Sequence, residues 1–246
     1  KTQAWAKGPN GEPVFAKGSK THTAWLQQLN ECMLAVDEGV GAVLKALKES
    51  GQDKNTLVIY SSDQGFANGE HGLKQKVAPY EASYRSPFIV SMPGTLPQGK
   101  YCPQAVNAPD VVVTFFATAG IELPWKMHGR DITPLLQDPE NGEWKHATLY
   151  EHMGQDYGAN AMTAVAEQKK ATHSGVPYYA AVRQGNYKYI HYLVGNEPDE
   201  LYDLATDPEE LHNLVDDPKL QSQRESLHKA LVEELKRADG DFARLK

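Results

Sequence analysis

From Thr23 onward, apolar residues recur at spacings of three and four: Leu26, Leu29, Met33, Val36, Val40, Val43, Leu44 and Leu47. This is the period of one helical face, and Gly51 is the residue type that closes a helix at its C-terminus. Gly39 and Gly41 lie inside the pattern, where each lowers helix stability by about 1 kcal/mol relative to alanine. Close packing against another element is therefore expected there. Residues 1–20, rich in Gly, Pro and Lys, carry no period and read as a loop. Residues 56–61, Thr-Leu-Val-Ile-Tyr-Ser, are short, β-branched and apolar, and a Gly-rich stretch follows them. They predict a buried strand. Residues 88–92 predict a second strand, ending at Pro93-Gly94, and residues 109–119 a helix with Pro109 in its first turn. The order helix, strand, loop, strand, helix implies a layered α/β domain.

The pattern changes after about residue 139. Residues 147–151, 178–183, 187–192 and 200–202 predict strands of a small antiparallel sheet. Residues 154–176 are small and polar and read as a long loop, a length that is uncommon without a role such as substrate binding. Residues 218–237 predict a closing helix with Leu220, Leu227, Leu231 and Leu235 on one face. The division expected is a layered α/β part over 1–138 and a smaller antiparallel-sheet-plus-helix subdomain over 139–246.

Composition narrows the function only by exclusion. The 246 residues carry a formal net charge of −7, which argues against a nucleic-acid protein with its basic face. An acidic total still permits a locally positive pocket for a small anion. No run approaches the ~18 apolar residues of a membrane span. Two cysteines, Cys32 and Cys102, do not make a disulfide framework. The chain opens on Lys1 without a basic segment followed by an apolar one, so a processed, trimmed or fragment start is expected.

The chemistry concentrates after the first strand, in Ser62-Asp63-Gln64-Gly65, Gly69-Glu70-His71-Gly72, Lys76 and Tyr80-Glu81. Asp63 stands just past the carboxyl end of a strand, where open α/β sheets place ligand sites. Asp63 and Gln64 offer adjacent oxygens suited to a hard cation, Ca²⁺ or Mg²⁺, but two ligands fall short of the six to eight that Ca²⁺ takes. A cation and an imidazole on the same loop, Lys76 and His71, suit an oxyanion or a transferring sulfuryl or phosphoryl group. Each feature also has a plain reading: a polar turn after a strand, a hydrogen-bonded structural histidine, and solvated charges at Lys74 and Lys76.

Taken together, residues 55–65, Gly69-Glu-His-Gly-Leu73, Lys76, Tyr80-Glu81, Arg85, Pro87 and Pro93-Gly94 resemble the formylglycine-dependent sulfatases of the alkaline-phosphatase superfamily. The resemblance extends upstream to residues 36–41. Downstream it takes in Asp110, Thr114, Gly120, Gly129, Pro134-Leu135-Leu136, Ala181-Val182-Arg183, Tyr187-Lys188-Tyr189-Ile190, Leu201-Tyr202-Asp203-Leu204, Asp207-Pro208-Glu209 and Asn213, so that it covers roughly 22–238. It implies a sulfatase-like layered α/β sheet with a small C-terminal subdomain. Asp63 and Gln64 are implied as metal ligands, typically to Ca²⁺; Gln64 replaces the Asn or His of many members and still supplies an oxygen. Lys76 falls at the sulfate-binding lysine. His71 lies near the site, and His152 and Arg183 bound a region where members often build substrate subsites.

One departure is large. The family's nucleophile is a cysteine in Cys-x-(Pro/Ala/Ser)-x-Arg, oxidised to formylglycine. Cys32 is followed by Met-Leu-Ala-Val and Cys102 by Pro-Gln-Ala-Val, so neither fits, and a serine version is also absent. The resemblance therefore implies that formylglycine and a pair of metal-binding aspartates belong to an N-terminal half of the same protein, and that this chain alone is inactive. It implies a sulfate ester substrate, a sulfated glycan above all, and a periplasmic, secreted or lysosomal location. A phosphodiesterase or phosphonate hydrolase of the same superfamily, and a non-catalytic binding fragment, stay open.

Overall fold

The structure is a computed structural model and describes residues 20–140, 143–156, 158–167, 172–194 and 196–240. The loop expected over 1–20 falls outside them, except for Lys20, the first residue of helix α1 (Lys20–Glu49). As the pattern predicted, Gly51 closes α1. It adopts φ 69, its N–H donates to the Lys48 carbonyl at 3.1 Å, and Gln52 N–H donates to Leu47 at 3.0 Å. This pairing satisfies carbonyls that the helix end would otherwise leave without donors. The packing expected at Gly39 and Gly41 is not found, because a Cβ on either would meet nothing within 4 Å. Part of the apolar stripe of α1 faces open space instead, with Met33 51% and Val43 59% exposed. The start of α1 is anchored: His22 Nε2 lies 2.6 Å from the Asn68 carbonyl oxygen, and Trp25 Nε1 donates to Asn68 Oδ1 at 3.0 Å.

Strand β1 (Val58–Ser61) is followed by the short strands β2 (Ala67–Asn68) and β3 (Lys74–Gln75), helix α2 (Glu81–Tyr84) and strand β4 (Phe88–Ser91). β1 and β4 pair antiparallel, with Val58 opposite Ser91 and Ser61 opposite Phe88. They form a two-stranded ribbon, so β1 is half-buried rather than buried as expected. Helix α3 (Ala108–Ala119) starts one residue early, with Pro109 at its second position. Asp110 fastens its first turn: Oδ2 accepts from Asn107 N–H at 3.0 Å and Oδ1 from Arg130 N–H at 2.7 Å. Gly129 passes so close to Pro109 that a Cβ would sit 2.0 Å from its carbonyl oxygen. Helix α4 (Thr133–Gln137) follows.

The remaining elements are β5 (Thr148–His152), α5 (Ala159–Ala166), β6 (Thr172–His173), β7 (Val176–Pro177), β8 (Tyr179–Gln184), β9 (Tyr187–Tyr192), β10 (Glu200–Asp203) and α6 (Gln221–Arg237). The long loop expected over 154–176 is thus overturned. Alanine-rich residues 159–166 form α5, as their helix propensity allows. Ser174 and Gly175, both at positive φ, turn β6 into β7 as the tight hairpin that such residues favour.

The antiparallel sheet has strand order β10-β9-β8-β5, and both of its faces are buried. Because side chains alternate along a strand, Ala180, Val182, Tyr189 and Leu201 face one way, where Leu227, Leu231 and Leu235 of α6 cover them. Tyr179, Ala181, Ile190, Tyr192 and Tyr202 face the other way, against Ala67, Leu73, Ala78 and Tyr80. The segment carrying the sulfatase-like motif is therefore the cover of one sheet face.

That second face also holds buried charge. Lys188, with no exposed surface, puts Nζ 3.2 Å from Glu81 Oε1 and 2.8 Å from Glu210 Oε1. Arg183 Nη1 reaches Glu81 Oε2 at 3.1 Å, and Glu210 Oε2 accepts the Glu81 N–H at 2.6 Å. Burial pulls the Lys188 pKa down, but Glu210 and Glu81 outweigh it and leave it above the ordinary lysine value. The side chain is therefore a cation. Removing one partner of a buried ion pair strands the other's charge. We expect Lys188→Ala to destabilise the chain by about 3–5 kcal/mol, read as a lowered urea midpoint. An unchanged midpoint would contradict the linkage described.

Candidate functional site

Asp63 follows β1 on a turn that its own side chain organises. Oδ1 accepts from Gln64 N–H at 2.9 Å and from Ser62 Oγ at 3.2 Å. Gly65 then runs against α2 so closely that a Cβ would meet the Ala82 carbonyl oxygen at 2.7 Å; only glycine fits this approach. Lys76 returns on the far side of the β2–β3 hairpin and brings Nζ to 3.8 Å from Asp63 Oδ2. The Lys76 ammonium, aided by the Ser62 hydroxyl, holds the Asp63 carboxyl below its ordinary value. Both side chains are open to solvent, so the pair adds little to stability.

An ionised carboxylate beside an amide oxygen on consecutive residues fits a hard cation. Asp63 and Gln64 could supply two oxygens to such a cation, fewer than the six to eight that Ca²⁺ takes. Among the described residues, no group of three or more His, Cys, Asp or Glu side chains is placed to hold a metal ion. Further ligands have to come from outside those residues.

His71 belongs to the same segment but has another engagement. At φ 53 its ring stacks on Tyr80 with centroids 3.7 Å apart and planes 2° from parallel. Burial lowers its pKa, against an opposing hydrogen bond at Glu209. A cleft of about 510 Å³ opens on this side, lined among others by His71, Glu81, Arg85 and Glu210. Asp63 and Lys76 do not line it, so the cleft and the sulfatase-like pair are separate places.

His152 and Arg183 stand at opposite ends of the β5–β8 pairing, with His152 opposite Tyr179 and Thr148 opposite Arg183. Four residues of strand separate them, about 13 Å. The Arg183 guanidinium belongs to Glu81. His152 is at the end nearer Lys76, for its strand partner Tyr179 donates to the carbonyl oxygen of Val77 at 2.9 Å. The His152 ring lies 5.8 Å from that of His173 on the β6–β7 hairpin, and its Nε2 is buried without a hydrogen-bond partner.

The pattern of polar residues did not single out Tyr179, Glu210 or the buried role of Lys188, and it marked Glu81 without its ion-pair role. A lysine within the apolar run of β9 was the available signal; nothing in the sequence marks Val77, which adopts φ 65.

The comparisons with known proteins give the family. The family model described as N-sulphoglucosamine sulphohydrolase, C-terminal, matches residues 69–237, and the sulfatase family model matches residues 10–121. The fold and its motif-bearing segment are those of a sulfatase, and the chain belongs to the sulfatase family within the alkaline-phosphatase superfamily. An N-acetylglucosamine-6-O-sulfatase of Bacteroides thetaiotaomicron is 30% identical over 174 residues, 70% of this chain and 28% of that protein. A solved structure of a protein in complex with its substrate D-glucosamine-2-N,6-O-disulfate superposes with a TM-score of 0.69 at 29% identity, covering 87% of this chain and 41% of that one. The phosphonate monoester hydrolase of Agrobacterium radiobacter superposes with a TM-score of 0.67 at 27% identity, over 82% of this chain and 39% of that one. The chain thus spans less than half the length of these relatives. Among the described residues, no helix is long and apolar enough to cross a membrane.

His152 carries a pH signature. Burial, then the neighbouring His173, lowers its pKa from 6.5 to about 4. As pH falls through 6.5, the unfolded chain takes up this proton while the folded chain does not. Stability therefore declines from pH 6.5 down to about 4 and is insensitive to this group above that window. His152→Gln should flatten the decline, by up to about 3 kcal/mol at pH 4. Urea titrations of both forms across that range measure it.

Proposed function

We propose that the protein containing this chain hydrolyses sulfate esters carried on carbohydrate, and that residues 1–246 supply its sulfate-binding lysine and part of its metal site. The observation that carries this reading is the meeting of Lys76 and Asp63 at 3.8 Å, just past the carboxyl end of β1. Asp63 and Gln64 would hold the metal, Ca²⁺ before Mg²⁺, through side-chain oxygens. When bound, a divalent cation of this kind polarises a sulfuryl oxygen as a Lewis acid. The Lys76 ammonium binds a non-bridging oxygen and offsets the charge that develops as the sulfur–oxygen bond breaks. Ser62 and the Gln64 N–H orient the Asp63 carboxylate.

The nucleophile, a formylglycine hydrate, is assigned to residues outside this chain, because neither Cys32 nor Cys102 stands in the required motif. Residues 1–246 alone are therefore expected to be inactive. His71 shapes the loop through Tyr80. His152, buried at the end of β5, would border the substrate region, whereas Arg183 is committed to Glu81. Relatives acting on glucosamine sulfates support a sulfated glycan as substrate. Family membership supports a periplasmic, secreted or lysosomal location. A second reading, hydrolysis of phosphonate or phosphate esters, is favoured by the similarity to phosphonate monoester hydrolase.

The test is a panel of sugar sulfates, aryl sulfates and phosphonate esters against the full-length protein and its Lys76→Ala variant. Sulfate ester turnover should dominate. Lys76→Ala should lower kcat/KM by about 10²–10³, the usual loss on deleting one oxyanion donor. Faster turnover of the phosphonates would replace the first reading with the second.

A further inference from the structure

Val77, next to Lys76, adopts φ 65, a left-handed conformation that β-branched residues avoid. Such a backbone persists only where its surroundings over-determine it. Here the Val77 carbonyl oxygen accepts a 2.9 Å hydrogen bond from the Tyr179 hydroxyl, and Tyr179 has no exposed surface. The Tyr179 hydroxyl is also hydrogen-bonded to that of Tyr84. A hydroxyl has one proton to donate, so with Tyr179 donating to Val77, Tyr84 is the donor to Tyr179. The relay runs from α2 through β8 to the residue beside Lys76. Downstream, Ala78 and Tyr80 are buried and the Glu81 N–H is held by Glu210. The Lys76 side chain is 46% exposed and, among the described residues, makes one long ion pair. Its direction is therefore set by its backbone rather than by contacts of its own.

We infer that Tyr179 is a positioning residue, holding Val77 in the left-handed conformation that aims Lys76 at Asp63. The C-terminal sheet would then act on the sulfate site through one hydroxyl. This rests on the reading of Lys76 as the sulfate-binding lysine.

The test uses the full-length protein, 4-nitrophenyl sulfate as probe, and thermal melting alongside. Tyr179→Phe should lower kcat/KM by about tenfold, as for one lost hydrogen bond. In a Lys76→Ala background the same change should have no further effect, because there is no ammonium left to aim. Adding Val77→Gly to Tyr179→Phe should restore most of the loss, since glycine takes positive φ without help. A merely structural Tyr179 would lower activity equally in both backgrounds and resist rescue, and that result overturns the inference. So does wild-type activity of Tyr179→Phe where Lys76→Ala is impaired. Wild-type activity of Lys76→Ala would overturn the lysine assignment itself, and this inference with it. Should Tyr179→Phe fail to fold, Val77→Gly and Val77→Pro decide with Tyr179 intact. Proline fixes φ near −65° and should lose as much as Lys76→Ala, whereas glycine stays at least about tenfold more active; equal activities overturn the inference.

Discussion

The arrangement depends on the buried ammonium of Lys188 between Glu81 and Glu210. Glu81 opens α2, four residues after Val77, and Glu210 sits on the turn after β10. Lys188 stands between them on β9. A cation with no solvent contact is unfavourable by itself, and its two carboxylates together outweigh that cost. Because these groups belong to three separate segments, a shift of any one leaves a charge unpaired. This rigidly registers the motif-bearing segment against the sheet.

Tyrosines extend the same register. Glu200, fully buried, accepts hydroxyls from Tyr192 at 2.6 Å, from Tyr80 at 3.4 Å and from Tyr202. Tyr80 also carries the stacked ring of His71. These rings give apolar area against the sheet while their hydroxyls satisfy a carboxylate that would otherwise be costly to bury. The contrast with the Asp63–Lys76 edge is physical. Inside the network the charges are buried and paired, whereas Asp63 and Lys76 are open to solvent.

Much of the fold was legible from periodicity. The α1 repeat, the strand-like runs at 58–61, 88–91 and 187–192, and the leucine spacing of α6 each depend on near neighbours alone. The misreadings share a cause. Residues 154–176 looked like a loop because their small and polar composition hid an eight-residue helix and a hairpin of two two-residue strands, each too short to impose a strong period. Gly39 and Gly41 suggested a packed neighbour, but glycine reports only that space is permitted, not that it is filled.

The sequence by itself determined the longer periodic elements, the family, and the stretch that holds the candidate chemistry, because motif residues and helical or strand periods are encoded within a few positions. Tertiary structure decided how those residues divide the work. Register between β5 and β8 set His152 and Arg183 at opposite ends of one strand pair. The closeness of Glu81 gave Arg183 an ion pair, and Tyr80 claimed the His71 ring. Val77 is held at positive φ by a tyrosine 102 residues away. Such contacts arise only when distant segments pack, since a side chain's charge and shape are fixed locally but its partner is chosen by the whole fold.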